Sequence, residues 1–251
     1  SKVIKTEKPY FLMSEGLKFK GRLNNIFRKV AVSNINRPHV NLLAIGKGCV
    51  EDYRSVGASR WEADEFTFTS NAPIVAPIER ISGEPLKVVF VGQLIERKNL
   101  KVLIEAMRLL KSENLELTIV GDGPSMDVTQ QLVDKYGLSS VALVGQLPHD
   151  EVFTVMKQSD VLVLPSYYDG WGAVVNEAMC LSNVVVVSSG VRASSAVVND
   201  VNGYVFDPGN HLELADILKR LSLNNELVER IKVENYSTAH RFTKEYLAQI
   251  I

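Results

Sequence analysis

The chain has 251 residues, of which 46% are apolar and 23% are charged, and its formal net charge at neutral pH is −1. This composition is typical of a globular protein of one or two domains, and the near-zero charge excludes a general attraction to nucleic acid or to anionic membranes. Because no apolar run approaches roughly 18 residues, no membrane span is predicted, and we expect a cytoplasmic protein in which Cys49 and Cys180 are buried, reduced thiols.

The first 85 residues contain too few strands for a complete doubly wound domain. Apolar runs predict strands at Tyr10–Met13 and Asn41–Ile45, with Glu65–Thr69 as a third candidate, together with two helices. We therefore expect the chain to begin partway through an N-terminal domain that spans residues 1–85.

A basic segment lies inside this first part of the chain. Residues 17–50 contain seven Lys and Arg and no Asp or Glu. Five apolar residues share one face of a predicted helix there, namely Phe19, Leu23, Ile26, Phe27 and Val30. A basic amphipathic helix can lie on the inner face of a cell membrane, which would suit a lipid-linked substrate. The favoured interpretation is a domain helix with a solvated basic face, and peripheral membrane association stays as the alternative.

From Leu86 onward, short apolar strands alternate with amphipathic helices. The predicted strands are Leu86–Val91, Leu115–Val120, Val141–Val144, Val161–Leu164, Val184–Val187 and Gly203–Phe206. The predicted helices are Leu100–Leu110, a helix stopped by Gly137 after Tyr136, Asp150–Gln158, 210–222 and Leu227–Ile251. This alternation indicates right-handed β-α-β units and a parallel sheet with helices on both faces. The predicted fold class is α/β, with one complete, doubly wound, Rossmann-like domain at 86–232. A C-terminal helix at 233–251 follows, with packing against the N-terminal domain as one option.

The most informative stretch is 165–179, which reads PSYYDGWGAVVNEAM between a predicted strand and a predicted helix. Gly170 and Gly172 allow the backbone to approach a ligand closely and to present its N–H groups. Asp169 and Glu177 place one carboxylate in the loop and another on the helix. Because ligands of open α/β sheets bind at the carboxyl ends of strands, we interpret this stretch as a binding site. The alternative is a plain strand-to-helix turn with a solvated Glu177.

Five segments occur in an order that resembles a known family. They are Val91–Asn99, Thr118–Pro124, Val144–Leu147, 165–179 and Asn202–Phe206. Together they are similar to the C-terminal half of a retaining GT-B glycosyltransferase and, more narrowly, to the family 4 (glycosyltransferase group 1) enzymes. The resemblance is strong over 86–210 and weak over 10–70.

The resemblance implies a GT-B-like pair of Rossmann-like domains, with the nucleotide-sugar donor against the C-terminal one and the acceptor side in the partial N-terminal one. Lys98, with Arg97 beside it, matches the basic residue that neutralises the donor diphosphate, where a fixed cation stabilises the departing charge. Asp169 matches the first acid of the family's Glu-x7-Glu pattern, which faces the transferred sugar, and is one methylene shorter than the usual Glu. These three are the expected catalytic residues; a solvated Arg-Lys pair ahead of a helix is the alternative.

The remaining matches concern donor binding. The expected donor-binding residues are Gly92, Gln93, Gly145, Gln146, Leu147, Gly170, Trp171, Gly172 and Glu177. Residues 145–147 match the loop that contacts the base, and Glu177 matches the acid that binds the ribose hydroxyls. Residues 170–172 match the segment whose backbone N–H groups donate to the sugar and the phosphate. Gln93 stands where an Arg is often found, so either one phosphate cation is lost or Arg97 takes its place. For the Trp171 ring, stacking on the ligand and a core position are both open.

The resemblance implies a hexosyltransferase that moves a sugar from a nucleoside diphosphate donor to a hydroxyl acceptor, with retention of the anomeric configuration. UDP is the first choice for the nucleotide of the donor, and GDP is the next. A carbohydrate or lipid-linked acceptor, in polysaccharide or glycolipid biosynthesis, would fit such an enzyme. No metal or cofactor is expected, because the sequence has no Asp-x-Asp and because His39, His211 and His240 have no acidic or cysteine partners at ligand spacing. No nucleic-acid partner is expected either.

Two other readings stay open. An epimerase or a phosphorylase of the same architecture would use the same fold with different chemistry. A nucleotide-sugar-binding module, inactive without a missing portion of the first domain, would use the site without catalysis.

Overall fold

The computed structural model describes residues 10–14, 29–30, 32–33, 36, 39–46, 49–66, 68–81 and 83–250. The chain divides into two compact units, Ser1–Phe68 and Thr69–Ile251.

The first unit holds a small parallel sheet. Its strands β1 (Tyr10–Ser14), β2 (Val40–Ile45) and β3 (Glu62–Phe66) lie in that order, and the helix α1 (Cys49–Ser55) follows β2. The first two predicted strands are confirmed. The third begins three residues earlier than predicted, because pairing with β2 sets its register and brings Phe66 opposite Ile45. The basic amphipathic helix falls almost wholly on residues 15–28, outside the described residues.

The second unit alternates strand and helix as predicted. Its strands are β4 (Leu86–Val91), β5 (Leu115–Val120), β6 (Val141–Gly145), β7 (Val161–Leu164), β8 (Val184–Ser188) and β9 (Gly203–Phe206). Its α-helices are α2 (Leu100–Leu109), α3 (Met126–Tyr136), α4 (His149–Lys157), α5 (Ala173–Cys180), α6 (His211–Leu223), α7 (Asn225–Thr238) and α8 (Lys244–Ile250). The last helical stretch is therefore not continuous, and a 3₁₀ helix at Ala239–Phe242 separates α7 from α8.

All six strands of this sheet run parallel in the order β6-β5-β4-β7-β8-β9. The sheet is doubly wound, which confirms the predicted fold class: the chain leaves β4 toward one edge and returns beside it as β7. Every residue of β7 and β8 is buried, as expected for strands covered on both faces. The point where the strand order reverses lies between β4 and β7, and open sheets bind ligands there, beyond the carboxyl ends of the strands.

Local signals in the sequence explain where several helices begin and end. Gly137 ends α3 in the left-handed conformation at φ 59°, the usual role of a glycine after a helix. Asn210 caps α6, since its side-chain oxygen accepts the N–H of Glu213 at 3.1 Å. Along α2, Leu100, Leu103 and Met107 lie on the buried face, at helical spacing.

Within the second unit, the segment that precedes β4 packs against the C-terminal part of the chain and against the end of α5. The Ser70 N–H donates to Phe242 O at 2.7 Å, and the Val75 N–H donates to Cys180 O at 3.0 Å. Both cysteines are buried, and burial raises the pKa of the Cys180 thiol to about 11. Among the helices that the structure describes, none has both the length and the apolarity needed to cross a membrane.

Candidate functional site

The loops after β4, β5 and β6 interlock at the carboxyl edge of the sheet. The Gly92 N–H donates to Val120 O at 3.0 Å, and the Gly121 N–H donates to Gly145 O at 2.8 Å. Gly121 has a φ of 136°, and a Cβ built there would lie 1.9 Å from Gly92 O. Only a residue without a side chain permits this approach, so these glycines fix the shape of the edge.

A cavity of about 360 Å³ opens between these three loops. Its lining consists of Val91, Gly92, Gln93, Val120, Gly121, Asp122, Gly123, Gln146, Leu147 and Val152. Four of the predicted donor-binding residues, at positions 92, 93, 146 and 147, are therefore brought together. Gly145 lies at the end of β6 beside them, at φ 75°. The Gly-Asp-Gly turn after β5 also lines the cavity. From sequence alone this segment is most simply a turn at the end of a strand.

A buried charge cluster lies at the switch point. Lys98 ends a 3₁₀ helix at Glu96–Lys98 and is only 8% exposed, and Asp169 follows β7 and is 9% exposed. The Lys98 Nζ donates to Asp169 Oδ2, and Arg97 Nη1 donates to Asp169 Oδ1 at 3.2 Å and to Tyr168 O at 3.1 Å. Two cations thus share one carboxylate, which leaves the cluster with a net positive charge. The structure brings the three expected catalytic residues together.

The cluster adjoins the cavity. A Cβ added to Gly92, one of the cavity residues, would lie 3.7 Å from Lys98 Nζ. The side chain of Arg97 is 44% exposed, so it can turn toward a bound anion without leaving a fully buried position. The arrangement therefore offers a positive site beside an open space at the switch point, which suits an anionic ligand such as a phosphate.

The loop that carries Asp169 is held by its own backbone. The Asp169 N–H donates to Gly190 O at 3.1 Å, and the Gly170 N–H donates to Asp169 Oδ1 at 3.0 Å. Gly172 then opens α5 at φ 85°, where a Cβ would lie 2.7 Å from Val191 Cγ1. Gly170 and Gly172 thus orient the acid and fit the turn, and the N–H of Gly170 is already engaged.

Trp171 lies in the core. It is 3% exposed, and its indole N–H donates to Asn176 Oδ1 at 3.1 Å. The sequence leaves open whether this ring stacks on a ligand or lies in the core, and the structure shows that it lies in the core. Its carbonyl accepts the N–H of Ala193 at 2.9 Å, which further anchors the loop.

Glu177 lies on α5, half-buried, and does not line the cavity between the glycine loops. Burial raises the pKa of the Glu177 carboxyl above its ordinary value, and the charge of His149 at the start of α4 partly offsets this. A carboxyl that is hard to ionise and lies on the helix directly after the Asp169 loop is a candidate for binding hydroxyl groups.

Asn99 is a residue of this region that sequence reasoning missed. It is 4% exposed, and its side-chain amide reaches two other strand-end loops. Its place between Lys98 and an apolar helix suggests an ordinary helix cap, so the sequence carries no signal for the longer-range bonds. For metal binding, no cluster of three or more His, Cys, Asp or Glu occurs in the described part of the chain. The expected independence from metal remains a prediction.

Comparison with known families matches residues 71–238 to the model of the family described as Glycosyl transferases group 1. The amylovoran biosynthesis glycosyltransferase AmsK of Erwinia amylovora is 31% identical over 185 residues, which cover 66% of this chain and 46% of that protein. An uncharacterized glycosyltransferase of Methanocaldococcus jannaschii is 28% identical over 158 residues, 63% of this chain and 43% of that protein. The chain spans less than half the length of these two relatives.

Solved structures with the same fold include two proteins of low sequence identity. HepE of Anabaena, solved in complex with UDP, superposes with a TM-score of 0.79 at 20% identity, over 96% of this chain and 71% of that one. Sucrose-phosphate synthase of Thermosynechococcus elongatus superposes with a TM-score of 0.73 at 21% identity, over 92% and 60% of the two chains. At this identity the likeness shows the fold alone, which is the GT-B-like α/β architecture.

Proposed function

Since the chain belongs to the group 1 glycosyl transferases, we propose that it transfers a hexose from a nucleoside diphosphate sugar to a hydroxyl acceptor, with retention of the anomeric configuration. The observation that carries the proposal is the cluster in which Arg97 and Lys98 share the carboxylate of Asp169 at the switch point. An anion-binding site beside a cavity, at the place where open sheets bind nucleotides, is what such a donor requires.

The two cations would bind and stabilise the diphosphate. As the glycosidic bond breaks, negative charge develops on the leaving nucleoside diphosphate, and a fixed cation in a partly dry site lowers the energy of that state. Lys98 is buried and already held in place by Asp169, so it needs little reorganisation during the reaction. Arg97 is half-exposed and can close on the phosphate from the solvent side.

Asp169 would face the sugar that is transferred. It is anchored by the Gly170 N–H and by both cations, so its carboxylate has a fixed position. In that position it would orient the sugar and stabilise positive charge at the anomeric carbon, while the protein contributes mainly by holding the reactants together.

The base would occupy the cavity between the glycine loops, where residues 92, 93, 146 and 147 would contact the donor. The ribose would lie outside this cavity, with the Glu177 carboxylate accepting hydrogen bonds from its hydroxyls. UDP is the favoured nucleotide, since HepE was solved with UDP and with UDP-glucose bound. We further propose a carbohydrate or lipid-linked acceptor in polysaccharide biosynthesis, in line with the name of the relative AmsK. No metal ion is needed in this proposal.

The proposal is tested by incubating the chain with UDP-glucose, UDP-galactose and their N-acetyl forms, with and without oligosaccharide acceptors, in EDTA. UDP release is the first measurement, and NMR of the product reports its anomeric configuration. Lys98→Ala is expected to lower turnover by about two to three orders of magnitude, whereas Lys101→Ala, at an exposed position on α2, should leave it unchanged.

Other outcomes would contradict the proposal. Conversion of the donor sugar without acceptor would indicate an epimerase, and a requirement for free phosphate would indicate a phosphorylase. Donor binding without any transfer would indicate a binding module, and equal turnover in Lys98→Ala and wild type would remove the charge cluster from the mechanism.

A further inference from the structure

Asn99 connects three of the loops at the carboxyl edge of the second unit's sheet. Its side-chain Nδ2 donates to Pro165 O, at the end of β7, at 3.2 Å and to Pro208 O, after β9, at 2.6 Å. Asn99 itself belongs to the loop after β4. Both N–H groups of one amide are thereby used on carbonyls that lie 66 and 109 residues away in sequence.

This side chain is not a helix cap. Asn99 precedes α2, where an asparagine ordinarily accepts a backbone N–H of the first turn with its Oδ1 from an extended conformation. Here the residue is left-handed, at φ 52° and ψ 44°, and its side chain makes no capping bond. The usual reason for an asparagine at the start of a helix therefore does not apply.

Backbone conformation explains the residue only in part. Asn99 ends the 3₁₀ helix Glu96–Lys98 in the left-handed conformation, which asparagine adopts second only to glycine. Glycine adopts the left-handed region without strain, so glycine would satisfy the turn equally well. What asparagine adds is a pair of donors on a short, rigid stem, and both donors are engaged in a place that is 4% exposed. The amide orientation follows from the partners, because both are carbonyl oxygens and accept only.

The two hydrogen bonds of the Asn99 amide act on the charge cluster through the loops that carry Lys98 and Asp169. Lys98 is the neighbour of Asn99 in sequence, and Asp169 lies four residues after Pro165 on the loop that the amide holds. The same two loops are also joined by the Tyr167 N–H, which donates to Arg97 O at 2.8 Å. Asn99 thus ties the backbone on one side of the Lys98–Asp169 pair to the backbone on the other.

We propose that Asn99 is a positioning residue that holds the Lys98 ammonium against Asp169 by clamping the loops after β4, β7 and β9. Its importance for catalysis rests on the function proposed above, whereas its effect on the position of Lys98 does not. Without the clamp, the loops separate more often, and Lys98 leaves its buried position and becomes accessible to solvent.

The test compares Asn99→Gly with the wild type, because glycine keeps the left-handed turn and removes only the amide. Brief reductive methylation followed by peptide mass spectrometry measures the labelling rate of Lys98, with the exposed Lys101 as an internal reference. Asp200→Gly serves as the control variant, since Asp200 is also left-handed, at φ 65°, and lies outside this cluster. Thermal unfolding confirms that all variants are folded.

The expected result is a labelling rate of Lys98 at least fivefold higher in Asn99→Gly, with Lys101 unchanged and with no change in Asp200→Gly. In donor turnover, Asn99→Gly should lower kcat while KM changes little. An unchanged labelling rate of Lys98 would overturn the proposal whatever the activity. Faster labelling with wild-type kcat would support the positioning role and would contradict the role of Lys98 in the proposed function.

Discussion

At the residue scale, Glu177 is a carboxyl whose surroundings disfavour its charge. Burial raises its pKa in the folded protein above the ordinary value of 4.5, and His149 reduces the effect. Between these two pKa values the folded protein binds more protons than the unfolded chain. The free energy of unfolding must therefore fall as pH rises through this window, and the lost stability does not return above it.

The first prediction is that Glu177→Gln removes this loss. The free energies of unfolding of the variant and the wild type should be similar below pH 4.5, and the variant should become the more stable of the two as pH rises toward neutrality. Urea unfolding at a series of pH values measures the difference. Glu116→Gln, at an exposed position on β5, is the control and should show no such divergence; a constant difference for Glu177→Gln would contradict the account.

The residues of the site were predictable to the extent that local motifs encode them. Asp169 and Glu177 belong to one short stretch, and Arg97 and Lys98 to another, so each pair could be read from sequence. The pairing of Lys98 with Asp169 spans 71 residues, and such contacts depend on strand order rather than on spacing. Asn99 was missed for the same reason, because its partners lie on distant loops.

At the element scale, the close crossing of the loops after β4 and β5 determines the shape of the cavity. Gly121 and Gly145 both have positive φ, but their surroundings differ. A Cβ at Gly121 would collide with Gly92 O at 1.9 Å, whereas a Cβ at Gly145 would meet nothing within 4 Å. Alanine substitutions at these two glycines therefore separate the cost of backbone strain from the cost of a steric collision.

The second prediction is that Gly145→Ala costs about 1 to 2 kcal/mol of stability, from the left-handed conformation alone, while Gly121→Ala costs about 3 kcal/mol or more. The larger cost arises because the neighbouring atom belongs to the backbone and cannot turn aside. Denaturant unfolding of both variants measures the two values. Equal costs would mean that the loops do not cross as closely as described.

A second element-scale feature attaches the segment before β4 to α7 within the second unit. Lys232 on α7 is 4% exposed, and its Nζ donates to Asp160 Oδ1 at 2.8 Å and to Ile78 O at 2.9 Å. Asp160 also accepts the backbone N–H of Lys87 at 3.0 Å. Removing the ammonium would leave a buried carboxylate with fewer partners, which is costly at this depth.

The third prediction is that Lys232→Met lowers the free energy of unfolding by about 3 to 5 kcal/mol. The matched control is Lys219→Met, whose ion pair with Glu113 at 2.7 Å has a half-exposed lysine and should contribute little to stability because solvent screens it. Chemical denaturation of both variants provides the comparison. If the two lysines prove equally dispensable, the buried network does not stabilise this attachment.

The elements themselves followed from the sequence where periodicity was strong. Strands β4, β5, β7 and β9 have the predicted bounds. In a chain where strands alternate with helices, a short apolar run bounded by turns can only be a buried strand. The third strand of the first unit was placed three residues too late, since Glu62–Phe66 is mostly polar and is a strand through its pairing with β2. The break between α7 and α8 was missed because Ala239 and Phe242 keep a helical apolar spacing.

At the scale of the whole molecule, the strand order β6-β5-β4-β7-β8-β9 places the glycine loops and the charge cluster at one edge of one unit. Every residue expected to bind the donor lies in Thr69–Ile251, the larger of the two units. Donor binding is therefore expected of this chain even though it spans less than half of the relatives compared. The domain boundaries predicted at 85 and 232 and the packing of the C-terminal helix stay predictions.

The central claim is that this edge binds a nucleoside diphosphate, and thermal unfolding against UDP, GDP and ADP tests it most directly. A ligand of the folded state at a hundredfold excess over its Kd adds about 2.7 kcal/mol of stability. We expect UDP to raise the Tm by several degrees, GDP and ADP to do so less, and the UDP shift to be lost in Lys98→Ala and kept in Lys101→Ala. No shift with any nucleotide, or an equal shift in both variants, would contradict the claim.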